Sequence, residues 1–157
     1  MLPNQLRERP VAQAVADFDG DAVTNGKYEG NELTLEIAPA KIVSVCGFLK
    51  YDQKFVRLSA VTAVDRYPLE PRFEVVYHVH SVERNERVRL KCRLSGIDPV
   101  IESVCSVWRG ANWYEREIFD LFGIRFLNHP DLRRILMPDD WEGHPLRKDY
   151  PIYGPRV

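Results

Sequence analysis

The spacing of apolar positions changes period several times along the chain. Behind Pro10, a residue suited to a first helical turn, Val11, Ala14, Val15 and Phe18 follow helical spacing up to Asp19-Gly20-Asp21. Residues 22–28 and 32–37 flank Glu29-Gly30-Asn31, which predicts a hairpin with Leu33, Leu35 and Ile37 on one face. Pro39 opens a second helix, with Ile42, Val45, Cys46 and Leu49 at i, i+3, i+4 and i+7. Three strands follow. Over residues 55–65 the apolar set is Val56, Leu58, Ala60 and Val64; over 72–81 it is Phe73, Val75, Tyr77 and Val79. Over 87–94, Val88, Leu90, Cys92 and Leu94 alternate with Arg87, Arg89, Lys91 and Arg93, which describes one buried and one wet sheet face.

Two more helices are predicted. Asp98-Pro99 supplies a cap and a first turn for Val100, Ile101, Val104, Val107 and Trp108, and Gly110 ends that stripe. Asn112 with Glu115 resembles a capping box ahead of Tyr114, Ile118, Leu121 and Phe122, and Gly123 stands where a C′ glycine belongs. After Phe126 neither period survives. Prolines 130, 138, 145, 151 and 155 are interspersed with charges of both signs. The order of elements predicts an α+β fold: a two-layer domain over residues 1–126, mostly antiparallel sheet with helices on one face, plus an extended C-terminal segment over 127–157.

Length and composition narrow the function. The 157 residues suffice for one domain that folds without disulfides or metals. Hydrophobic and charged fractions of 45% and 29% are ordinary globular values, and a net charge of -1 argues against a general nucleic-acid binder. The longest apolar run, residues 42–49, is too short to cross a bilayer, and residues 1–10 do not resemble a signal peptide. Cys46, Cys92 and Cys105 form no CxxC pair; they read as reduced, buried thiols without chemistry, and three thiolates cannot hold a cubane cluster.

Familiar catalytic patterns are missing. The chain has no GxGxxG turn after a strand, no GxxxxGK[ST] loop and no GxSxG elbow. His78 and His80 share a strand face and could share a zinc, but no third ligand is spaced nearby and arginines line the next strand; a polar solvent face is the better reading. The basic stripe from Arg87 to Arg93 lacks interleaved aromatics, so it reads as a solvated or partner-facing surface.

The informative stretch runs from Asn112 to Tyr150. Charges at Glu115, Arg116, Glu117 and Asp120 cannot all pair within one short helix. An extended segment cannot bury Leu132, Ile135, Leu136, Met137 and Trp141 against itself. It must wrap its own domain or another protein, and Arg, Trp, Tyr and Met are types enriched at interfaces.

Three blocks in this stretch resemble one known family. They are Ala111-Asn112-Trp113-Tyr114-Glu115-Arg116-Glu117-Ile118-Phe119-Asp120-Leu121-Phe122-Gly123-Ile124, His129-Pro130-Asp131-Leu132-Arg133-Arg134-Ile135-Leu136-Met137-Pro138, and Gly143-His144-Pro145-Leu146-Arg147-Lys148-Asp149-Tyr150-Pro151. Upstream, Ala63-Val64-Asp65-Arg66-Tyr67 and Arg72-Phe73-Glu74-Val75-Val76-Tyr77 fit as well. The family is the C subunit, or 30 kDa subunit, of the proton-pumping NADH:quinone oxidoreductase, respiratory complex I.

The resemblance implies a subunit with no catalytic residue, metal or cofactor of its own. NADH, FMN, iron–sulfur clusters and quinone belong to other subunits. The chain would brace the quinone-site D subunit and its neighbours in the peripheral arm, on the cytoplasmic face of a bacterial inner membrane, and touch the membrane only through the complex. It would be the form not fused to the D subunit, and no transit segment is visible. The expected partner interface comprises Trp113, Glu115, Arg116, Glu117, Asp120, His129, Asp131, Leu132, Arg133, Arg134, Ile135, Met137, Trp141, His144, Arg147, Lys148, Asp149 and Tyr150. One alternative is the equivalent subunit of a membrane-bound hydrogenase or of a ferredoxin- or F420-linked complex. A second is a stand-alone binding module that uses its basic strand face.

Overall fold

The computed structural model describes residues 6–153. The outermost residues of the polar N-terminal stretch and of the C-terminal segment lie outside that range. Helix α1 (Pro10–Phe18) leads into strands β1 (Val23–Glu29) and β2 (Glu32–Ile37). Their two-residue connection, Gly30-Asn31, has positive φ at both positions (59° and 64°), the twist that lets a tight hairpin close. A 3₁₀ turn at Pro39–Lys41 feeds α2 (Ile42–Tyr51). Strands β3 (Arg57–Asp65), β4 (Phe73–Ser81) and β5 (Glu86–Leu94) complete a five-stranded sheet in the order β1-β2-β5-β4-β3. All pairings are antiparallel except β2 with β5. The fold is therefore α+β, as the sequence predicts.

One face of the sheet is dry. Leu33, Leu35 and Ile37 from β2, Phe73, Val75, Tyr77 and Val79 from β4, and Val88, Leu90, Cys92 and Leu94 from β5 join the buried stripes of α1 and α2 in one core. The opposite face carries Arg87, Arg89, Lys91 and Arg93 beside His78, His80 and Glu74, as strand alternation requires. Val76 and Thr34 on that face are buried but lie outside the core cluster.

The expected face of β3 needs correction. Register shifts between Leu58 and Ala60, a bulge that reverses which parity points inward. Leu58 lies across from Val79 on the core side, whereas Ala60 and Val64 lie across from His78 and Glu74 on the wet side. Beyond the bulge the inward residues are Val61, Ala63 and Asp65, and Val56, ahead of the strand, is exposed.

The segment after Pro99 also differs from expectation. Residues Val100–Glu102 form strand β6, not a helix, and pair in parallel with β7 (Arg125–Leu127). The apolar spacing is real: Ile101, Val104, Val107 and Trp108 are all buried. Helical spacing and burial of a strand followed by one tight turn are indistinguishable over so few residues. Tertiary pairing decides it, because β7 offers the N–H and C=O groups that bind this stretch, with Arg125 N–H donating to Pro99 O and Ser103 N–H to Leu127 O. The capping box is absent too. Helix α3 (Ala111–Phe122) takes Gly110 as its N-cap without a side-chain bond, and Glu115 turns inward.

Candidate subunit interface

Helix α3 is amphipathic, but its buried side is partly ionic. Ala111 and Ile118 are buried beside Glu115, Arg116 and Asp120. Two of these are carboxylates with no exposed surface. They are held in different ways.

Glu115 faces β6 and the turn that follows it. Its Oε1 accepts the Val104 N–H at 2.8 Å, and its Oε2 accepts the Ser103 hydroxyl at 2.6 Å and the Cys105 thiol at 3.3 Å. Burial raises its pKa above the usual carboxylate range, and these bonds only partly offset that. Burial also pushes the Cys105 thiol up to about 11. His129 Nε2 lies 3.8 Å from Glu115 Oε2. One donor atom each from Cys105, Glu115 and His129 falls within 4.8 Å of the others, a set able to hold a metal ion. The hydrogen bonds describe another arrangement. His129 Nδ1 accepts the Asp131 N–H at 3.0 Å, which puts the proton of a neutral ring on Nε2, the atom facing Asn112 O and Glu115. A metal ligand needs that lone pair free. The cluster therefore reads as a satisfied internal network, and sequence reasoning, which gave Cys105 no role, missed its polar partners.

Asp120 organises the C-terminal segment. Its Oδ2 accepts the consecutive backbone N–H groups of Ile135, Leu136 and Met137 at 3.1, 2.7 and 2.8 Å. Its Oδ1 accepts Arg134 at 2.7 Å. Burial acts upward on this carboxyl, but the three N–H groups and the guanidinium outweigh it and hold the pKa below the usual range. Arg134 reaches further, to the carbonyls of Trp141 and Gly143. Arg116 donates to the carbonyls of Arg133 and Arg134 and lies over the Trp113 ring.

The same segment caps the end of α3. The last carbonyls of a helix have no partner within it. Here Asp120 O accepts His144 Nδ1–H, Leu121 O accepts the Leu146 N–H and Phe122 O accepts Arg147 Nε–H. Gly123 adopts φ 74° at the helix end, and a Cβ there would lie 2.5 Å from the His144 ring. Glycine is required twice over, for the left-handed turn and for the close approach.

A third node ties residues 148–149 to the sheet. Arg72 binds Asp65 through two nitrogens, at 2.8 and 2.9 Å, and Asp149 at 2.6 and 3.1 Å. The Lys148 N–H donates to Asp65 Oδ2 at 2.8 Å. Burial alone would raise Asp65, yet Arg72 and the Lys148 and Tyr67 N–H groups hold it well below the ordinary range. Neither Asp65 nor Arg72 stands out as a site residue in the sequence, because each sits in an ordinary strand context and their partner lies 77 residues away.

These nodes redistribute the eighteen expected interface residues. Glu115, Arg116 and Asp120 are buried and bonded within this chain, and so is the side chain of His129. Within this chain their polar groups are turned to internal partners rather than to solvent. Arg134, His144, Arg147, Asp149 and half-buried Tyr150 chiefly shape the segment, and Leu132 packs on the core. Met137 is half-buried. Trp113, Glu117, Asp131, Arg133, Ile135, Trp141 and Lys148 remain outward. Beside them stand Leu136 (61% exposed), Leu146, Ile152 (94%) and Tyr153, large apolar groups left on the surface. Single scattered apolar residues are ordinary on a protein surface; here several fall on one segment. No helix among the described residues is long and apolar enough to cross a membrane.

Residues 35–156 match the family described as the 30 Kd subunit of the respiratory-chain NADH dehydrogenase. The chain is 52% identical over 148 residues to the NADH-quinone oxidoreductase C subunit of Geobacter sulfurreducens, covering 94% of this chain and 91% of that one. It is 51% identical over 147 residues to the C subunit of Geotalea uraniireducens, covering 94% and 89%. Among solved structures, the trypsin-resistant fragment (1-134) of Nqo5 superposes with a TM-score of 0.66 at 26% identity, covering 76% of this chain and 97% of the fragment. A chain of the membrane-bound sulfane sulfur reductase, an archaeal respiratory membrane complex, gives 0.78 at 25% identity over 93% of this chain and 86% of that one. The sequence blocks, the α+β sandwich with its ordered C-terminal segment and these relatives agree: the chain belongs to the family of the 30 kDa subunit, or C subunit, of NADH-quinone oxidoreductase, respiratory complex I.

Proposed function

We propose that this chain is a scaffold subunit of the peripheral arm of NADH:quinone oxidoreductase, without a redox centre of its own. It braces the quinone-site D subunit and its neighbours, and so supports electron transfer from NADH to quinone without performing it. The observation that carries this reading is the 52% identity, over nearly the full length of both chains, to a C subunit of that enzyme. The geometry supports it. Hydrogen bonds within the chain hold the C-terminal segment in shape, and its large apolar side chains face outward. A segment ordered before docking loses less conformational entropy on binding. NADH, FMN, iron–sulfur clusters and quinone are then held by other subunits. Contact with the cytoplasmic face of the membrane is made through the complex.

The similarity to a chain of the sulfane sulfur reductase favours one second reading, the same scaffold role in a related complex with different electron chemistry. Tagged purification from host membranes in mild detergent, with mass spectrometry and an NADH:quinone assay, separates the two. Recovery with the D subunit, flavin- and cluster-bearing chains and NADH oxidation supports the first. Recovery with a hydrogenase or ferredoxin-linked set supports the second. Leu136→Asp tests the surface: partners are lost while the melting temperature of the isolated chain holds. Full recovery of partners with that variant counts against docking through this segment.

A further inference from the structure

The wet face of the sheet is electrostatically uneven. Toward β2 its cations are matched. Arg89 pairs with Glu32, Arg93 with Glu36 at 3.0 Å and Lys91 with Glu74 at 3.5 Å, and Glu74 also takes Arg66, just past the far end of β3, at 3.1 Å. Toward β3 they are not. Arg57, His80 and Arg87 stand side by side on three neighbouring strands, set by the registers Arg57 with His80 and His80 with Arg87. Both arginines are exposed, and neither has a hydrogen-bond or carboxylate partner among the described residues. His80 Nε2 is buried without a partner.

These groups rim a cleft of about 360 Å³ that also includes Ser59, Ala60, His78 and, on its β2 side, Glu32, whose charge Arg89 balances. Small Ala60 lies opposite His78 in the cleft. The chain as a whole carries a charge of -1, so the cations are a local feature and not part of a generally basic surface.

We infer that this cleft docks an acidic segment of a neighbouring subunit, with two carboxylates received by Arg57 and Arg87. The inference rests on the scaffold reading above and adds a second contact surface to it, away from the C-terminal segment. Guanidinium groups match carboxylates in a planar, two-bond fork. The two arginines spring from strands on either side of β4, about 10 Å apart at two strand spacings. That separation suits two acids along one segment better than one small anion.

The test uses the assembled complex, purified through a tag on this chain and washed with increasing salt. Arg57→Glu with Arg87→Glu is compared with wild type, and Arg57→Gln with Arg87→Gln serves as the milder pair. Because neither arginine has an internal partner, the isolated variants keep the wild-type melting temperature. The expected result is at least about a tenfold drop in retained neighbouring subunits at about 0.15 M salt for the reversed pair, with a smaller drop for the neutral pair. Unchanged retention at every salt overturns the inference while leaving the scaffold reading intact. A wild-type chain that recovers no partners overturns both. Titration of inorganic phosphate into the full chain gives the remaining outcome. Binding that both double variants abolish, with retention unchanged, makes the cleft a small-anion site and overturns the inference.

Discussion

The sheet sandwich and the C-terminal segment are held together by opposite means. In the sandwich, apolar side chains from β2, β4, β5, α1 and α2 exclude water, and the force is non-directional. In the segment, few side chains reach the core, Leu132 among them. Its shape comes from directional bonds to Asp120, to Arg72 with Asp65, and to the open carbonyls at the end of α3. The lesson is that a stretch without periodicity can still be ordered when buried ionic groups replace a core. Its apolar residues are then free to face outward.

Asp120→Ala gives the sharpest break in this comparison. It removes the acceptor of three backbone N–H groups and leaves Arg134 without its carboxylate. Breaking a buried pair on one side typically costs about 3–5 kcal/mol. The expected outcome is selective cleavage of residues 130–150 in limited proteolysis while the sandwich stays folded. Uniform destabilisation of the whole chain would show that the two regions form one cooperative unit.

Leu90→Ala is the converse experiment. Leu90 is fully buried in the sandwich, and such truncations cost about 2–5 kcal/mol. Urea unfolding is expected to shift for sandwich and segment together, because the segment has nothing else to dock on. A segment that remained protected while the sandwich melted would break the comparison.

Acid titration separates the nodes by sign. Asp65, Asp120 and Asp149 have native pKa values below the ordinary range. Their stabilisation is complete above the unfolded value of about 3.9 and is lost as pH falls toward the native values. Glu115 is raised. From its unfolded value of about 4.3 up to its native value, the unfolded chain binds fewer protons than the native one, so stability falls as pH rises. Hydrogen exchange is expected to show the segment loosening below about pH 4. Urea unfolding of Glu115→Gln is expected to lose the downward slope above about pH 4.3. An unaltered slope would place the titration elsewhere.

The smallest effect is expected at Arg133. It pairs with Asp131 at 2.9 Å, but both side chains are more than half exposed. Such pairs contribute about 0–1 kcal/mol, so Arg133→Ala leaves thermal stability nearly unchanged. Its neighbour Arg134, with 14% of its side chain exposed, repeats the Asp120 phenotype when replaced by alanine. Equal effects from the two arginines would contradict the burial that distinguishes them.

Where a period is long and clean, it is legible. The alternation through β5, the stripe of α2 and the Gly30-Asn31 hairpin all match the pattern of the sequence. The bulge in β3 is not legible, since one extra residue flips every later side chain and leaves no mark in the composition. Nor is β6, whose few apolar residues fit helix and strand alike. After α3 begins, the charges, prolines and aromatic residues mark the stretch as unusual, but the role of each charge is not legible. Glu115, Arg116 and Asp120 look like surface charges of one short helix until their burial is seen.

The sequence by itself determined the α+β class, the dry and wet faces of β4 and β5, and the end of regular structure beyond β7. Side-chain periodicity is a local property, so each of these needs only neighbouring residues. The tertiary structure alone decided which charges are internal, where β3 changes face, and that Asp65, Arg72 and Asp149 meet. Hydrogen-bond partners across 77 residues are chosen by packing, and only in the folded chain does water leave a carboxylate and an N–H or guanidinium take its place.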